Sequence, residues 1–149
     1  KTHKATGLTI VSHTGKDGPA FAQLRLLKKL DVEPSAFVWT HAQNGTKEGY
    51  VKAAAQGAWI SLDHVTKKPD NIEKYAGWLQ FAKEKGFLHR ILISHDAGWY
   101  SAGQKNGGDY RGYTAISKHL LPALKKKGFT ENDINQLMVE NPQQAFALD

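Results

Sequence analysis

The sequence contains no cysteine, and this absence removes two kinds of chemistry from consideration. Without thiols the chain can form no disulfide, and it offers no thiolate to a metal ion. It also has no apolar run approaching the ~20 residues that a membrane-spanning helix needs. Any metal site must therefore be built from histidine and carboxylate ligands, and we predict no membrane partner.

The composition is that of a folded domain, with 40% hydrophobic and 23% charged residues in a chain of 149. A chain of this length can bury one hydrophobic core, and this composition does not favour disorder. The net charge of +6 and the pI near 9.5 meet one criterion for nucleic-acid binding. However, most lysines fall in small groups near the solvent faces and carboxyl ends of predicted helices, where cations are favourable. We therefore predict a solvated basic surface and no nucleic-acid partner.

Four short apolar runs, each leading to a titratable residue, organise the chain. Short runs without alternation are typical of strands buried on both faces of a parallel sheet. Helical patterns separate and follow the runs, over residues 19–31, up to about residue 56, 71–85 and 113–127, with a last helix over 140–148. The runs cover residues 8–12, 36–40, 58–62 and 91–93, and they lead to His13, His41, Asp63-His64 and Asp96.

The spacing of these run endings is close to the roughly 31 residues that a (β/α)8 barrel spends on each unit. The chain holds four such units and not eight, so we predict an α/β fold that is half of a TIM-type barrel, a single partial domain over residues 1–149. The sequence also begins at Lys1 almost directly with a strand. We therefore expect an upstream half to be absent, together with any targeting signal that it carried.

The carboxyl ends of barrel strands form the rim where active sites lie, so His13, His41, His64 and Asp96 should meet there. Neutral imidazole and carboxylate together are the ligand set of zinc and similar divalent metals. We predict His13, His41 and Asp96 as metal ligands. For His64 and Asp63 two interpretations stand: a proton shuttle with its supporting carboxylate, or a hydrogen-bonded rim residue beside a loop anchor.

Several segments resemble, in order and spacing, the fifth to eighth strands of the phosphotriesterase family. The resemblance implies the carboxyl half of an amidohydrolase-type (β/α)8 barrel that holds two zinc ions. It also implies hydrolysis of phosphotriester, lactone or related ester bonds by a metal-activated hydroxide. The segments are Ile10-Val11-Ser12-His13-Thr14, Trp39-Thr40-His41, Gly57-Ala58-Trp59-Ile60-Ser61-Leu62-Asp63-His64, Ile93-Ser94-His95-Asp96, and the C-terminal region from Leu120-Leu121-Pro122 to Val139-Glu140-Asn141-Pro142.

The same resemblance implies individual roles. His13 and His41 would bind the more exposed metal, whereas Asp96 would bind the more buried metal and orient the hydroxide. His64 would relay the proton away from Asp96. The outer carboxylate of this relay would fall at Asn44, and an amide cannot take a proton as a carboxylate can.

The loop that follows Asp96 is long and rich in glycine, which is typical of a functional segment. We assign Trp99, Tyr100 and Arg111 in this loop to substrate binding, with a small ester or lactone as the substrate. Arg111 also fits the plainer interpretation of a surface arginine.

The family's paired first-strand histidines and bridging fourth-strand lysine have no counterpart in the chain. We therefore expect the isolated chain to be inactive, and to need either the missing amino-terminal half of the barrel or a second copy. Three alternatives remain: a non-catalytic half-barrel that self-associates, a flavodoxin-like nucleotide binder, and a basic nucleic-acid module. The second lacks a glycine-rich phosphate loop, because residues 12–18 do not match one.

Overall fold

Helices and strands alternate along the chain in a computed structural model that describes residues 1–148. Short 3-10 turns at Pro34–Ala36, Leu88–Arg90 and Lys105–Gly107 lie between the larger elements. A π-helical turn at Ile116–Leu120 leads directly into α5, and another at Gln136–Glu140 leads into α7. The elements are α1 (Thr2–Thr6), β1 (Ile10–His13), α2 (Asp17–Lys29), β2 (Phe37–Thr40), α3 (Lys47–Ala55), β3 (Trp59–Leu62), α4 (Pro69–Glu84), β4 (Ile91–Ile93), α5 (Leu121–Lys126), α6 (Glu131–Asn135) and α7 (Asn141–Phe146).

The four strands form one parallel sheet in the order β1-β2-β3-β4. The predicted parallel α/β fold is thereby confirmed. A flavodoxin-like sheet reverses its strand order at the point where a nucleotide binds, whereas the order within residues 1–148 is strictly sequential. The topology therefore does not favour the nucleotide-binding alternative.

The sheet separates two apolar clusters, because alternate side chains of a strand point to opposite faces. Trp39, Ile60 and Leu62 pack with the helices in the main core. On the opposite face, Val38, Trp59 and Leu92 form a smaller cluster with Ala145 of α7. This double burial explains why the strands appear in the sequence as apolar runs without alternation.

Strand β1, one of the two edge strands, is the exception to this double burial. It pairs with β2 on one side only, and Val11 in its centre is 57% exposed. Leu8, Phe146 and Leu148 are also about half exposed, and Leu148 lies against Gly7. We call these four side chains, Leu8, Val11, Phe146 and Leu148, the β1-side apolar patch.

One local prediction is wrong. The chain does not begin almost directly with a strand, because α1 precedes β1; this five-residue helix buries no residue and so leaves no periodic pattern to recognise. The start of α6 carries a reciprocal capping box formed by Thr130 and Asp133.

None of the helices within the described residues combines the length and the apolar composition required to cross a bilayer.

Candidate metal centre

The predicted rim residues lie together at the carboxyl end of the sheet. Three strands or their following residues supply the imidazoles, and the segment after β4 supplies Asp96. The pocket that they share is lined by His13, His41, His64, Asp96, Gly15, Gln43 and Asn44. The structure therefore brings together the metal-binding and relay residues that the sequence predicts.

His13 and His41 are neighbours because their strands are paired in register, with His13 opposite Thr40. Their ring centroids lie 4.4 Å apart, and the rings meet edge to face at 76°. A backbone hydrogen bond from Gly15 N–H to the Thr40 carbonyl (3.0 Å) joins the two loops just beyond the strands. Two imidazoles at this separation can serve one metal ion.

A buried carboxylate fixes the orientation of His41. The backbone N–H of His41 donates to Asp63 Oδ2 at 2.7 Å, and its Nδ1 lies 2.5 Å from Asp63 Oδ1. Because a carboxylate accepts the proton of Nδ1, this contact favours the tautomer whose lone pair is on Nε2. His41 thus has the arrangement of a metal-ligating histidine with a supporting carboxylate.

Asp63 itself is positioned as a support and not as a ligand. Its oxygens lie within 4.8 Å of ligand atoms of His41 and Asp96, so the three residues form a possible metal group. However, Asp63 is only 2% exposed, and its carboxylate also accepts hydrogen bonds from Gln43 Nε2 (2.7 Å) and Ser61 Oγ (3.4 Å). Because both carboxylate oxygens already accept these hydrogen bonds, we assign Asp63 the role of holding His41 in place.

Gln43 and Tyr75 complete this support, and no sequence pattern marks either residue as part of the site. Gln43 both donates to the Asp63 carboxylate and accepts from the Asp63 backbone N–H (3.3 Å). The Tyr75 hydroxyl donates to the Asp63 carbonyl. Burial, followed by the negative charge of Asp63, raises the pKa of Tyr75 above its usual range, which keeps this donor protonated. Tyr75 lies on the buried stripe of α4, where an aromatic residue is expected for packing alone.

Three of the pocket residues have a left-handed backbone. The φ angles are 57° at His41, 71° at His64 and 45° at Asp96, and only Asp31 and Asn106 share a positive φ among the other non-glycine residues of the described chain. Such conformations cost about 1–3 kcal/mol each and cluster at functional sites. Their concentration at strand ends around one pocket is an independent sign of a functional site.

His64 and Asp96 approach each other across the pocket. His64 Nδ1 lies 3.7 Å from Asp96 Oδ2, with the side chains 55% and 29% exposed respectively. The guanidinium of Arg111 lies beside them: its Nη2 donates to the Asp96 carbonyl and is 3.3 Å from His64 Nδ1. Arg111 is thus not an ordinary surface arginine, since it links the long loop to both residues.

The other assigned substrate residues stand apart from the pocket. Trp99 and Tyr100 are 69% and 78% exposed, and neither lines the cavity that His13 and His41 share. Trp99 Nε1 donates to the Asp96 carbonyl at 3.1 Å. Trp99 and Arg111 therefore both hold the backbone at Asp96. Asn44 lies on the pocket wall, at the surface.

His95, the neighbour of Asp96, has a structural contact. Its Nε2 accepts a hydrogen bond from the Ile116 backbone N–H at 3.1 Å. Burial, and then the charge of Arg111, lowers the pKa of His95 below its usual value. A neutral imidazole at this position is what the accepting nitrogen requires.

Asp17 connects the loops that carry His13 and His41. Its carboxylate accepts hydrogen bonds from the backbone N–H (2.9 Å) and the hydroxyl (2.6 Å) of Thr46, the residue that caps α3. Glycine at positions 45 and 49 allows this approach, because a Cβ at either would lie within 2.6 Å of an Asp17 oxygen. Asp17 therefore fixes the spacing of the two loops.

We expect Asp17→Ala to lower the free energy of unfolding by about 1–2 kcal/mol. The change removes two hydrogen bonds to Thr46, and Thr46 is the residue that caps α3. The His13 and His41 imidazole resonances should also broaden or shift. Urea denaturation and ¹⁵N NMR of the histidine rings measure both effects. Glu48→Ala, which removes a carboxylate from the first turn of α3 without touching this contact, is the matched control. Equal losses in the two variants would contradict the assignment.

Comparison with known proteins relates the chain to the phosphotriesterase family. The model of the phosphotriesterase family matches residues 1–146. A phosphotriesterase homology protein of Escherichia coli is 30% identical over 148 residues, which are 97% of this chain and 49% of that protein. Human N-acetyltaurine hydrolase is 26% identical over 152 residues, covering 93% of this chain and 43% of the enzyme. The chain thus spans about half the length of the curated relatives it matches.

Several solved structures have a fold similar to that of this chain. The crystal structure of the Escherichia coli phosphotriesterase homology protein, with phosphate in its active site, has a TM-score of 0.80 at 28% identity, over 95% of this chain and 49% of that one. An organophosphorus hydrolase variant from Deinococcus radiodurans has a TM-score of 0.79 at 25% identity, over 97% and 48%. A lactonase from Listeria monocytogenes shares the fold, with a TM-score of 0.82 at 24% identity, over 99% and 46%.

Proposed function

The chain belongs to the phosphotriesterase family, and on that premise we propose that it is part of a zinc-dependent hydrolase acting on phosphotriester, lactone or related ester bonds. The observation that carries this proposal is the meeting of His13, His41, His64 and Asp96 in one pocket at the carboxyl end of a parallel sheet. The similar organophosphorus hydrolase from Deinococcus radiodurans, at 25% identity, supports the ester-bond class.

We further propose that the four strands are strands five to eight of a (β/α)8 barrel. The sheet pairs its strands in sequential order, as a barrel does, and the chain covers about half of each relative. The exposed β1 edge supports a partner on that side, because an open parallel edge is normally covered. The missing amino-terminal half, or a second copy, would supply the remaining strands.

The donor set suits a divalent metal. His13 and His41 offer imidazole nitrogens, Asp96 offers a carboxylate oxygen, and zinc takes such nitrogen and oxygen ligands. A zinc ion held by them would polarise the scissile P=O or C=O bond and lower the pKa of bound water. Three ligands are fewer than a pair of metals requires, so the binding of two ions would need groups from another segment or chain.

In this proposal the chain's own residues orient the ligands and move one proton. Asp63 holds His41 through its Nδ1, which leaves Nε2 as the nitrogen that would bind a metal. Asp96 accepts a proton as water attacks the substrate, and His64 accepts it next across the 3.7 Å gap. Arg111 Nη2 lies 3.3 Å from the same His64 Nδ1, so the long loop helps to place the imidazole beside Asp96.

The final step of this relay differs from the family pattern. Asn44 replaces the outer carboxylate and cannot accept the proton from His64. His64 is 55% exposed, however, and can release the proton directly to solvent. We therefore propose that water performs the task of the missing carboxylate.

A metal titration tests the proposed site without requiring catalysis. We expect the chain alone to bind zinc weakly, His41→Ala to abolish binding, and Asp63→Asn to weaken it by about 10- to 100-fold because His41 loses its supporting carboxylate. Isothermal calorimetry of the three proteins gives the affinities. His89→Ala, at an exposed histidine before β4, is the control. Unchanged binding in His41→Ala, or two tightly held zinc ions in the monomeric chain, would contradict the proposal.

A second candidate is a non-catalytic half-barrel that self-associates. The β1-side apolar patch favours it, because its four exposed apolar side chains lie on or near an edge strand that is open to another chain. Light scattering after gel filtration separates the candidates: a metal-independent dimer that Val11→Asp converts to a monomer would support self-association.

A further inference from the structure

A second cavity of about 480 Å³ lies next to the candidate metal centre. One wall comes from the loop between β3 and α4, and the other from residues 109–119. His64 lines both this cavity and the pocket shared by His13 and His41, so the two spaces adjoin. Its volume is in the range that small-molecule ligands occupy.

The lining of this cavity carries an excess of positive charge. Lys67, Lys68 and Arg111 are basic side chains, and Asp109 is the one carboxylate among the lining residues of the described chain. None of the ion pairs within residues 1–148 involves Lys67, Lys68 or Arg111. Their charges therefore remain available to an anionic ligand.

Arg111 is held at the boundary between the two spaces. Its Nη2 donates to the Asp96 carbonyl and lies 3.3 Å from His64 Nδ1, whereas its Nη1 is buried and has no hydrogen-bond partner. A guanidinium fixed in this way loses little conformational entropy when an oxyanion binds beside it. Lys67 and Lys68 lie on the opposite wall, in the loop between β3 and α4, and add positive charge to the cavity.

We propose that this cavity is a subsite for an oxyanion group of the substrate, such as a carboxylate, sulfonate or phosphate monoester. The inference rests on the proposed function and narrows its substrate class. The ester or lactone carries a negative charge away from the bond that is cleaved. Lys67, Lys68 and Arg111 bind that charge, while the scissile bond lies at the His13, His41 and Asp96 side of His64.

Binding to the chain itself tests this subsite. ¹H–¹⁵N NMR titrations use propane-1-sulfonate and propyl phosphate as anionic probes and 1-propanol as the neutral probe. The two anions should shift the amides of residues 66–68 and 110–114 saturably, and 1-propanol should not. Lys67→Ala combined with Lys68→Ala should weaken both anions by about fivefold.

The matched control is Lys28→Ala combined with Lys29→Ala, which removes the same charge from the end of α2. If this control weakens binding as much as the Lys67 and Lys68 variant, the effect is one of net charge and the subsite is wrong. Equal shifts with 1-propanol would also overturn it. A response to one of the two anions alone would keep the subsite and assign it to that anion.

The test separates the subsite from the proposed function, because neither metal nor hydrolysis is needed for the titration. Anion binding without zinc binding would leave the subsite and overturn the metal site. Zinc binding without anion binding would support the metal site and overturn the subsite.

Discussion

The 149-residue chain alone should hydrolyse aryl phosphotriesters and simple lactones no faster than zinc-containing buffer. It provides three candidate ligands, and its β1 edge is open beside them. Rate enhancement by metals depends on their fixed position, and a misplacement of ~1 Å can reduce the rate by about 100-fold. The measurement is a zinc-supplemented assay with both substrate classes.

Activity should return when four further strands complete the sheet. A fusion or mixture with the half of the Deinococcus radiodurans organophosphorus hydrolase that this chain does not cover supplies them. The chain carrying Val11→Asp, which places a charge in the β1-side apolar patch, is the control and should fail to be activated. Robust turnover by the isolated chain would show that the half-site argument is wrong.

In such a completed enzyme, Asp96→Asn should lower kcat by about 10²- to 10⁴-fold, because asparagine cannot accept the proton that a general base receives. The fold should survive. Arg111 and Trp99 contact the backbone carbonyl of Asp96 and not its side chain, and asparagine tolerates the φ of 45° found here.

Steady-state kinetics together with the zinc content of each protein measure the Asp96→Asn effect. Asp31→Asn changes an exposed aspartate that also has a positive φ (53°) but lines neither cavity, and it should leave kcat within about twofold of the parent. Full activity in the Asp96→Asn enzyme with normal zinc content would show that the catalytic carboxylate lies elsewhere.

The sequence predicted the sheet and the pocket because both follow from periodicity. Apolar runs without alternation gave the four parallel strands, and the residues that follow them must meet when neighbouring strands are parallel and in register. His13 and His41 are the clearest case, since the pairing of His13 with Thr40 makes their contact unavoidable.

What the sequence could not predict depends on contacts between distant segments. Gln43 and Tyr75 support Asp63 from different elements. In the sequence, Gln43 resembles an ordinary loop glutamine and Tyr75 resembles a core aromatic residue. The attachment of Arg111 to His64 spans 47 positions and depends on the conformation of the long loop. Trp99 and Tyr100 were assigned to substrate by their place in that loop, and that role stays a prediction.

The left-handed backbone at His41, His64 and Asp96 restricts how these positions can evolve. At such an angle β-branched residues are strongly disfavoured, whereas glycine, asparagine, aspartate and histidine are tolerated. The set that the backbone accepts thus overlaps the residues that bind metals or transfer protons. Selection for thermal stability alone should favour glycine at the exposed His64, because glycine relieves the backbone strain; the same change would remove the proposed proton relay. Directed evolution of this scaffold would therefore need activity and stability screened together.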